Sequence, residues 1–494
     1  MSPHLRPWQP ESTRAALRGR LLVRLRDDDA ARPAIPARMD VAAGLAQPSA
    51  ASGFDRFDAA VKHHSPWMKI TRAYHAKSSM GRPGLRHLGY DQVEEELGFP
   101  RTYRVKVDAA ASVLQLADEL RSLDGVEMAS PVYLCQTPFA AAVERASAPG
   151  YAQKMVRSVE AQRIEPGDPA LIIGIVDSGA ALDHPELSGR LRTGTSTVHI
   201  APDGLPGDYK LAQAGGNPRP IDRIGHGTSC ASIIGARGLR MAPGLAGAAL
   251  VLPIQSLAAS YVPGSKSLSA VGRADDIDLG VKTSIDLGAR VVNLSFGTPA
   301  SALRADDPLP HLDVVRYALR RDCVLVAASG NGGDDVPFYP AALPGVIAVG
   351  ACGADGRPAH FSSRGKHVAL CAPGEGIPAA VLTGYGQVSG TSFAAPFVAA
   401  AAALLIARAL RQGIPISAFN VRSLLIDGAA PFAAGADTTG CGAGVLDCVG
   451  SLRALDSVLD DSLTQEREGN ATFAGAPVHR RRTDTWAAPQ LSGG

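Results

Sequence analysis

The chain has 494 residues, with 49 Lys and Arg against 47 Asp and Glu and a formal net charge of +2. So even a balance gives no electrostatic basis for binding nucleic acid or an acidic membrane surface, and no uninterrupted apolar run is long enough to span a bilayer. Two or three domains are expected at this length.

The N-terminus, MSPHLRPWQPESTRAALRGR, lacks an apolar signal core and a small-residue cleavage site. A cytoplasmic location is therefore expected, with secretion by another route left open. Residues 1–17 are expected to be disordered. RLLVRLR (20–26) reads as a strand. Residues 39–100 read as an irregular insertion, in which the adjacent His63 and His64 are expected to point apart and hold no metal. TYRVKV (102–107) predicts a second strand. Asp108 is placed as the cap of a helix through SVLQLADELRSL, with Val113, Leu116 and Leu120 on one face. VEMASPVYLC (126–135) predicts a third strand. Residues 18–139 thus form a small α+β domain, joined by a linker at 140–153 to a larger unit at 154–455.

In that unit LIIGIV, ALVLPI, RVVNLSF, CVLVAAS and GVIAVGA are short apolar runs without alternation. Such runs mark parallel strands buried on both faces. Helices are expected at 226–236, 273–288, 311–321 and 393–412. The fold class is α/β, a doubly wound, mostly parallel sheet flanked by helices. Residues 456–494 are expected to be a disordered polar tail. The seven cysteines show no CxxC pair, which argues against zinc; Cys441 and Cys448 are a possible bridge.

Chemistry gathers at the carboxyl ends of strands in such sheets. Asp177 follows LIIGIV, His226 opens the helix GHGTSCASIIG, and Ser392 opens GTSFAAPFVAA, which accepts Pro396 near its start. Each alone reads as a cap or turn residue. Together, in the chain order Asp, His, Ser, they supply a nucleophile, a base to activate it and a carboxylate to orient the base. CVLVAASGNGG runs a strand into Ser329, Gly330 and Asn331, whose amide is placed to donate to an oxyanion. Ser295, Phe296 and Gly297 offer an edge on which an extended peptide can add as a strand.

These segments, VDSGAALDHPEL, GHGTSCA, NLSFG, AASGN and SGTSFAAPFVA, resemble the motifs of subtilisin-like serine proteases, and GAGVLDC resembles the end of that family's domain. The resemblance implies peptide-bond hydrolysis with Asp177, His226 and Ser392 as triad and Asn331 in the oxyanion hole. It implies substrate contacts at Ser295–Gly297 and at Ala328, Ser329 and Gly330. The N-terminal domain, ending ASPVYLCQ, is similar to the family's propeptide, which implies a zymogen whose partners are a peptide substrate and its own propeptide in cis. Sedolisin-type enzymes share the SGTS serine, but His226 and Asn331 argue against that group. Relatives often bind calcium in the loop after the His helix; here ARGLRMAP offers Arg237 and Arg240, and Glu186 alone is no site. No metal or other cofactor is expected there, and calcium elsewhere stays open. Phe338 implies a shallow specificity pocket, whereas Asp334 and Asp335 favour basic side chains, so no preference is assigned. Cys230, one turn after His226, is either a small buried apolar residue or a thiol sensitive to mercurials. Two rival functions are a processing protease dedicated to one precursor peptide and a non-catalytic peptide-binding relative.

Overall fold

The computed structural model describes residues 15–26, 35–137, 150–206, 209–212, 217–261 and 268–459. The central sheet runs Val368–Pro373, Val346–Cys352, Val324–Ala328, Ala289–Leu294, Ile172–Asp177, Leu250–Gln255, Thr195–Ser196, and every pairing in it is parallel. Successive residues of each strand point to opposite faces. Ile173, Ile175, Val291 and Val326 pack on one side against helices His226–Gly235 and Thr391–Arg411. Val176, Val292, Leu294 and Leu325 pack on the other against Ala274–Asp286 and Leu312–Arg320. Both faces are dry, which is why these strands lack polar alternation. The expected doubly wound α/β sheet is present. Helix Thr391–Arg411 is long and apolar enough to cross a membrane, but 89% of its apolar window is buried inside the protein.

The N-terminal strands are β1 (Ala16–Leu25), β2 (Met68–Arg72), β3 (Thr102–Val107) and β4 (Val126–Gln136), paired antiparallel in the order β2–β3–β1–β4. Helices Asp55–His64 and Val113–Arg121 cover one face, the second burying Val113, Leu116 and Leu120 as its spacing predicts.

Several expectations need correction. Ser112, not Asp108, caps Val113–Arg121, accepting from the Gln115 N–H at 3.4 Å, because it sits directly before the first helical residue. The insertion is not irregular: β2 and Asp55–His64 lie in it, held by Met68, Ile70, Phe57 and Val61 in the core. His63 and His64 do not diverge; Nδ1 of one and Nε2 of the other reach the Glu119 carboxylate at 3.2 and 2.7 Å. β1 begins at Ala16, inside the stretch expected to be disordered, because Ala16 pairs with Tyr133. Helix Tyr151–Met155 starts within the expected linker. A helix at 448–459 runs into the expected tail because Val449, Leu452, Leu455 and Leu459 bury one face. Cys441 clusters with Cys352 and Cys371, while Cys448 packs in the main core. The remainder of the N-terminal stretch, linker and tail lies outside the described residues.

The antiparallel sheet does not stop at β4. It continues through Leu268–Arg273, Ala258–Tyr261 and Lys210–Leu211. A β4 edge left bare would expose unpaired N–H and C=O groups; strands from the larger unit cover it.

Candidate active site

Asp177 ends its buried strand with Oδ1 2.8 Å from His226 Nδ1. His226 begins its helix after Gly225, and Asp222 fixes that start. The Asp222 carboxylate accepts from the N–H groups of Ile224, Gly225 and Thr228 and from the hydroxyls of Ser178 and Thr228. Asp222 was missed in the sequence. Its one signal is an acid just ahead of a helix start, where a carboxylate can satisfy orphan N–H groups. Burial pushes the His226 pKa down. The Asp177 charge and hydrogen bond, with Asp222 behind them, more than offset that, so it lies above the ordinary 6.5.

Ser392 is the second residue of helix Thr391–Arg411. Pro396 has no N–H with which to claim the Ser392 carbonyl four residues back. That carbonyl accepts instead from Ser295 Oγ at 2.7 Å and Cys230 Sγ at 3.4 Å. The proline therefore leaves the serine's own backbone free to be pinned by neighbouring elements. Cys230, Asp177 and His226 lie together, their ligand atoms all within 4.8 Å of one another, and the Phe393 ring centroid is 5.2 Å from that of His226. The Ser392 hydroxyl donates to the Ser295 carbonyl at 3.3 Å, and His226 Nε2 is buried without a partner among the described residues. Cys230 and Phe393 thus place Ser392 beside the Asp177–His226 pair, and Asp177 and His226 are hydrogen-bonded to each other.

Asn331 is oriented through its oxygen. Oδ1 accepts from Thr391 N–H at 2.9 Å and Thr391 Oγ1 at 2.8 Å, which turns the amide nitrogen toward Gly390. A Cβ at Gly390 would stand 2.9 Å from Nδ2, and its φ of 145° also favours glycine. The backbone just before Ser392 therefore passes directly beneath the amide.

The expected substrate residues divide. Gly297 carries an added strand: its N–H and C=O pair with Gln136 at the end of β4, at 3.0 and 3.1 Å. Ser295 faces inward to Ser392, and Phe296 is buried against His311. Ala328 and Ser329 lie fully buried at their strand end, and the Gly330 N–H is taken by Thr391 Oγ1 at 3.2 Å. The buried Phe338 ring leaves no room for a Cβ at Gly297, which would come within 2.6 Å of it, and touches the position a Cβ would take at Gly330. Asp334 is engaged by Ser363 Oγ at 3.3 Å. The Glu186 carboxylate accepts from the N–H groups of Gly238, Leu239 and Arg240 and from the Tyr385 hydroxyl. That loop thus turns amide donors, not carbonyl oxygens, toward the acid.

A model of the Subtilase family matches residues 168–450. The chain is 34% identical over 256 residues to the thermophilic serine proteinase of Bacillus sp. (strain AK1), covering 50% of this chain and 56% of that protein. It is 32% identical over 278 residues to thermitase of Thermoactinomyces vulgaris, covering 56% of this chain and 86% of that one. It aligns with the solved structure of prenylagaramide maturation protease PagA at 25% identity and TM-score 0.49, over 60% of this chain and 98% of that one. Thus the chain spans little more than half the length of the first of these relatives. The matched residues take in the whole parallel sheet and the helices on both its faces, so the chain belongs to the subtilase family of serine peptidases.

Proposed function

We propose that the chain is a serine endopeptidase. Ser392 Oγ attacks the scissile carbonyl while His226 Nε2 takes its proton, and the imidazolium returns that proton to the leaving amine. Asp177 holds the ring's tautomer. The Asn331 amide and the first N–H groups of the Ser392 helix face the oxyanion. Water then hydrolyses the acyl-enzyme by the same proton relay. The supporting observation is the Asp177–His226 hydrogen bond beside a serine whose carbonyl is pinned from two elements. The Ser392 hydroxyl has to turn from the Ser295 carbonyl to Nε2 when substrate enters, as catalytic hydrogen bonds often tighten only in the complex.

The zymogen reading goes with it. Gln136 pairs with Gly297, and the Thr137 N–H donates to the Ala270 carbonyl at 3.0 Å. The end of the N-terminal segment is thus paired with Gly297 on one side and with strand Leu268–Arg273 on the other, the pairing an extended substrate would make, which supports the reading. Intact-mass spectrometry of wild type beside Ser392→Ala tests both readings. Loss of about the first 140–150 residues in wild type alone is expected. A serine-directed phosphonate that leaves mature Ser392 unlabelled overturns the catalytic reading and favours a peptide-binding relative. Digestion of casein as well as short peptides would argue against a protease dedicated to one precursor.

A further inference from the structure

A second site lies where the N-terminal sheet meets the larger unit. A cavity of about 230 Å³ is lined by Arg20, Arg38, Lys69, Arg104, Lys106 and Arg273, and among the described residues no carboxylate lines it. β1, β2 and β3 supply four of these cations, Arg38 opens the short helix Arg38–Ala42, and Arg273 ends its strand in the larger unit.

Three acids stand behind the lining. Asp275 and Asp276 engage Arg273 and Arg104, and Asp203 engages Arg20 and Lys106. Six cations therefore face three carboxylates. The excess falls on two residues. Arg38 is 6% exposed, its Nε has no hydrogen-bond partner among the described residues, and its ion-pair distance to Asp276 is 3.9 Å. Lys69 is exposed at the mouth and makes no ion pair with a described residue. Burial pushes the Arg38 pKa down to about 9; Asp276 offsets this only in part, and Arg104 and Arg273 push it further down. A buried guanidinium without a hydrogen-bonded counterion is costly, and its planar donors match the oxygens of a phosphate group.

We propose that this cavity binds a compact, multiply charged oxyanion of the phosphate class, which ties the N-terminal sheet to the catalytic unit. The ligand would touch cations from both, so binding favours the docked arrangement by linkage. The proposal does not depend on the serine chemistry.

The test uses the full-length Ser392→Ala chain, titrated calorimetrically with inorganic phosphate and with adenosine triphosphate at constant ionic strength. Melting is followed in parallel. Saturable binding and a rising transition temperature are expected. Tighter binding of the triphosphate assigns the site to a nucleotide, and equal binding assigns it to the free oxyanion. Arg38→Gln and Lys69→Gln should each weaken binding about tenfold, while Lys62→Gln on an exposed helix face should not. Should Arg38→Gln fail to fold, the exposed Lys69→Gln still decides. Absence of saturable binding by either probe, an equal melting shift with chloride, or parental affinity in Lys69→Gln overturns the proposal.

Discussion

Asn331 is held through its amide oxygen. Two Thr391 donors fix the oxygen, leaving the nitrogen aimed over Gly390. Asn331→Leu should lower kcat on the order of 10²–10³ with little change in KM, because the donor acts on charge that forms only in the transition state. Ser392→Ala should cost on the order of 10⁶ in kcat. Both magnitudes come from subtilisin, a member of this family. His226 gives a pH test. The protonated ring cannot take the Ser392 proton, so kcat/KM should fall as pH drops through a value above 6.5. In Asp177→Asn the two larger raising influences go while Asp222 and burial remain, so the acid limb should move lower, with a loss of about 10⁴ in rate. A pH profile of both proteins checks the direction. Cys230 is fully buried and its pKa is pushed well up, chiefly by burial. A thiol so buried and protonated reacts slowly, so a mercurial should inhibit only partially, and Cys230→Val should abolish that sensitivity; equal inhibition of the variant would place the reactive thiol elsewhere.

Elements position these groups through close backbone approach. At Gly227 an added Cβ would meet the Gly179 carbonyl at 2.2 Å and Asp177 Cβ at 3.2 Å. Gly227→Ala should therefore part the His226 helix from the Asp177 strand and sharply lower kcat, while the far-UV circular dichroism stays native. Phe338 works at the same scale. Its ring, packed over Gly297 and against Gly330, would floor the pocket beside the scissile bond. Peptides with small side chains there should be preferred, and Phe338→Ala should shift kcat/KM toward larger apolar residues by roughly tenfold or more. An unchanged peptide profile would place the specificity pocket elsewhere.

Across the whole molecule, the N-terminal sheet is joined to the larger unit by shared strands and by charge. Arg104 on β3 is buried against Asp275 and Asp276 at the start of helix Ala274–Asp286. Arg121 and Tyr133 meet Asp307, and His75 meets Asp286 at 2.8 Å. Arg104→Met removes the closest cation of Asp276 while Asp275 keeps Arg273, so it should destabilise the Ser392→Ala chain by roughly 1–3 kcal/mol. Denaturant unfolding measures this. A loss no larger than that of an exposed control such as Arg357→Met would mean the junction does not rely on it.

Some of this was legible in the amino-acid order because its physical cause is local. Strands buried on both faces must be apolar at every position, so LIIGIV and CVLVAAS announce a parallel sheet and locate Asp177 and Asn331 at its carboxyl edge. His226 between Gly225 and Gly227, and Ser392 two residues after Gly390, each at a helix start, point to the proposed chemistry. Other features depend on partners distant in the chain, and no local pattern encodes them. Only the fold shows that Pro396 frees the Ser392 carbonyl for Ser295 and Cys230, because those donors arrive from 97 and 162 residues away. Only the fold gives Asp222 its five donors, turns both His63 and His64 onto Glu119, and lays Gln136 on the Gly297 edge. Six cations drawn from four strands and one short helix close around one cavity, and sequence cannot reveal that, since each alone reads as a solvated surface charge. Local periodicity and backbone chemistry determined the layers and the strand-end residues; long-range packing decided which polar groups meet, because pairing energy depends on distance in space and not along the chain.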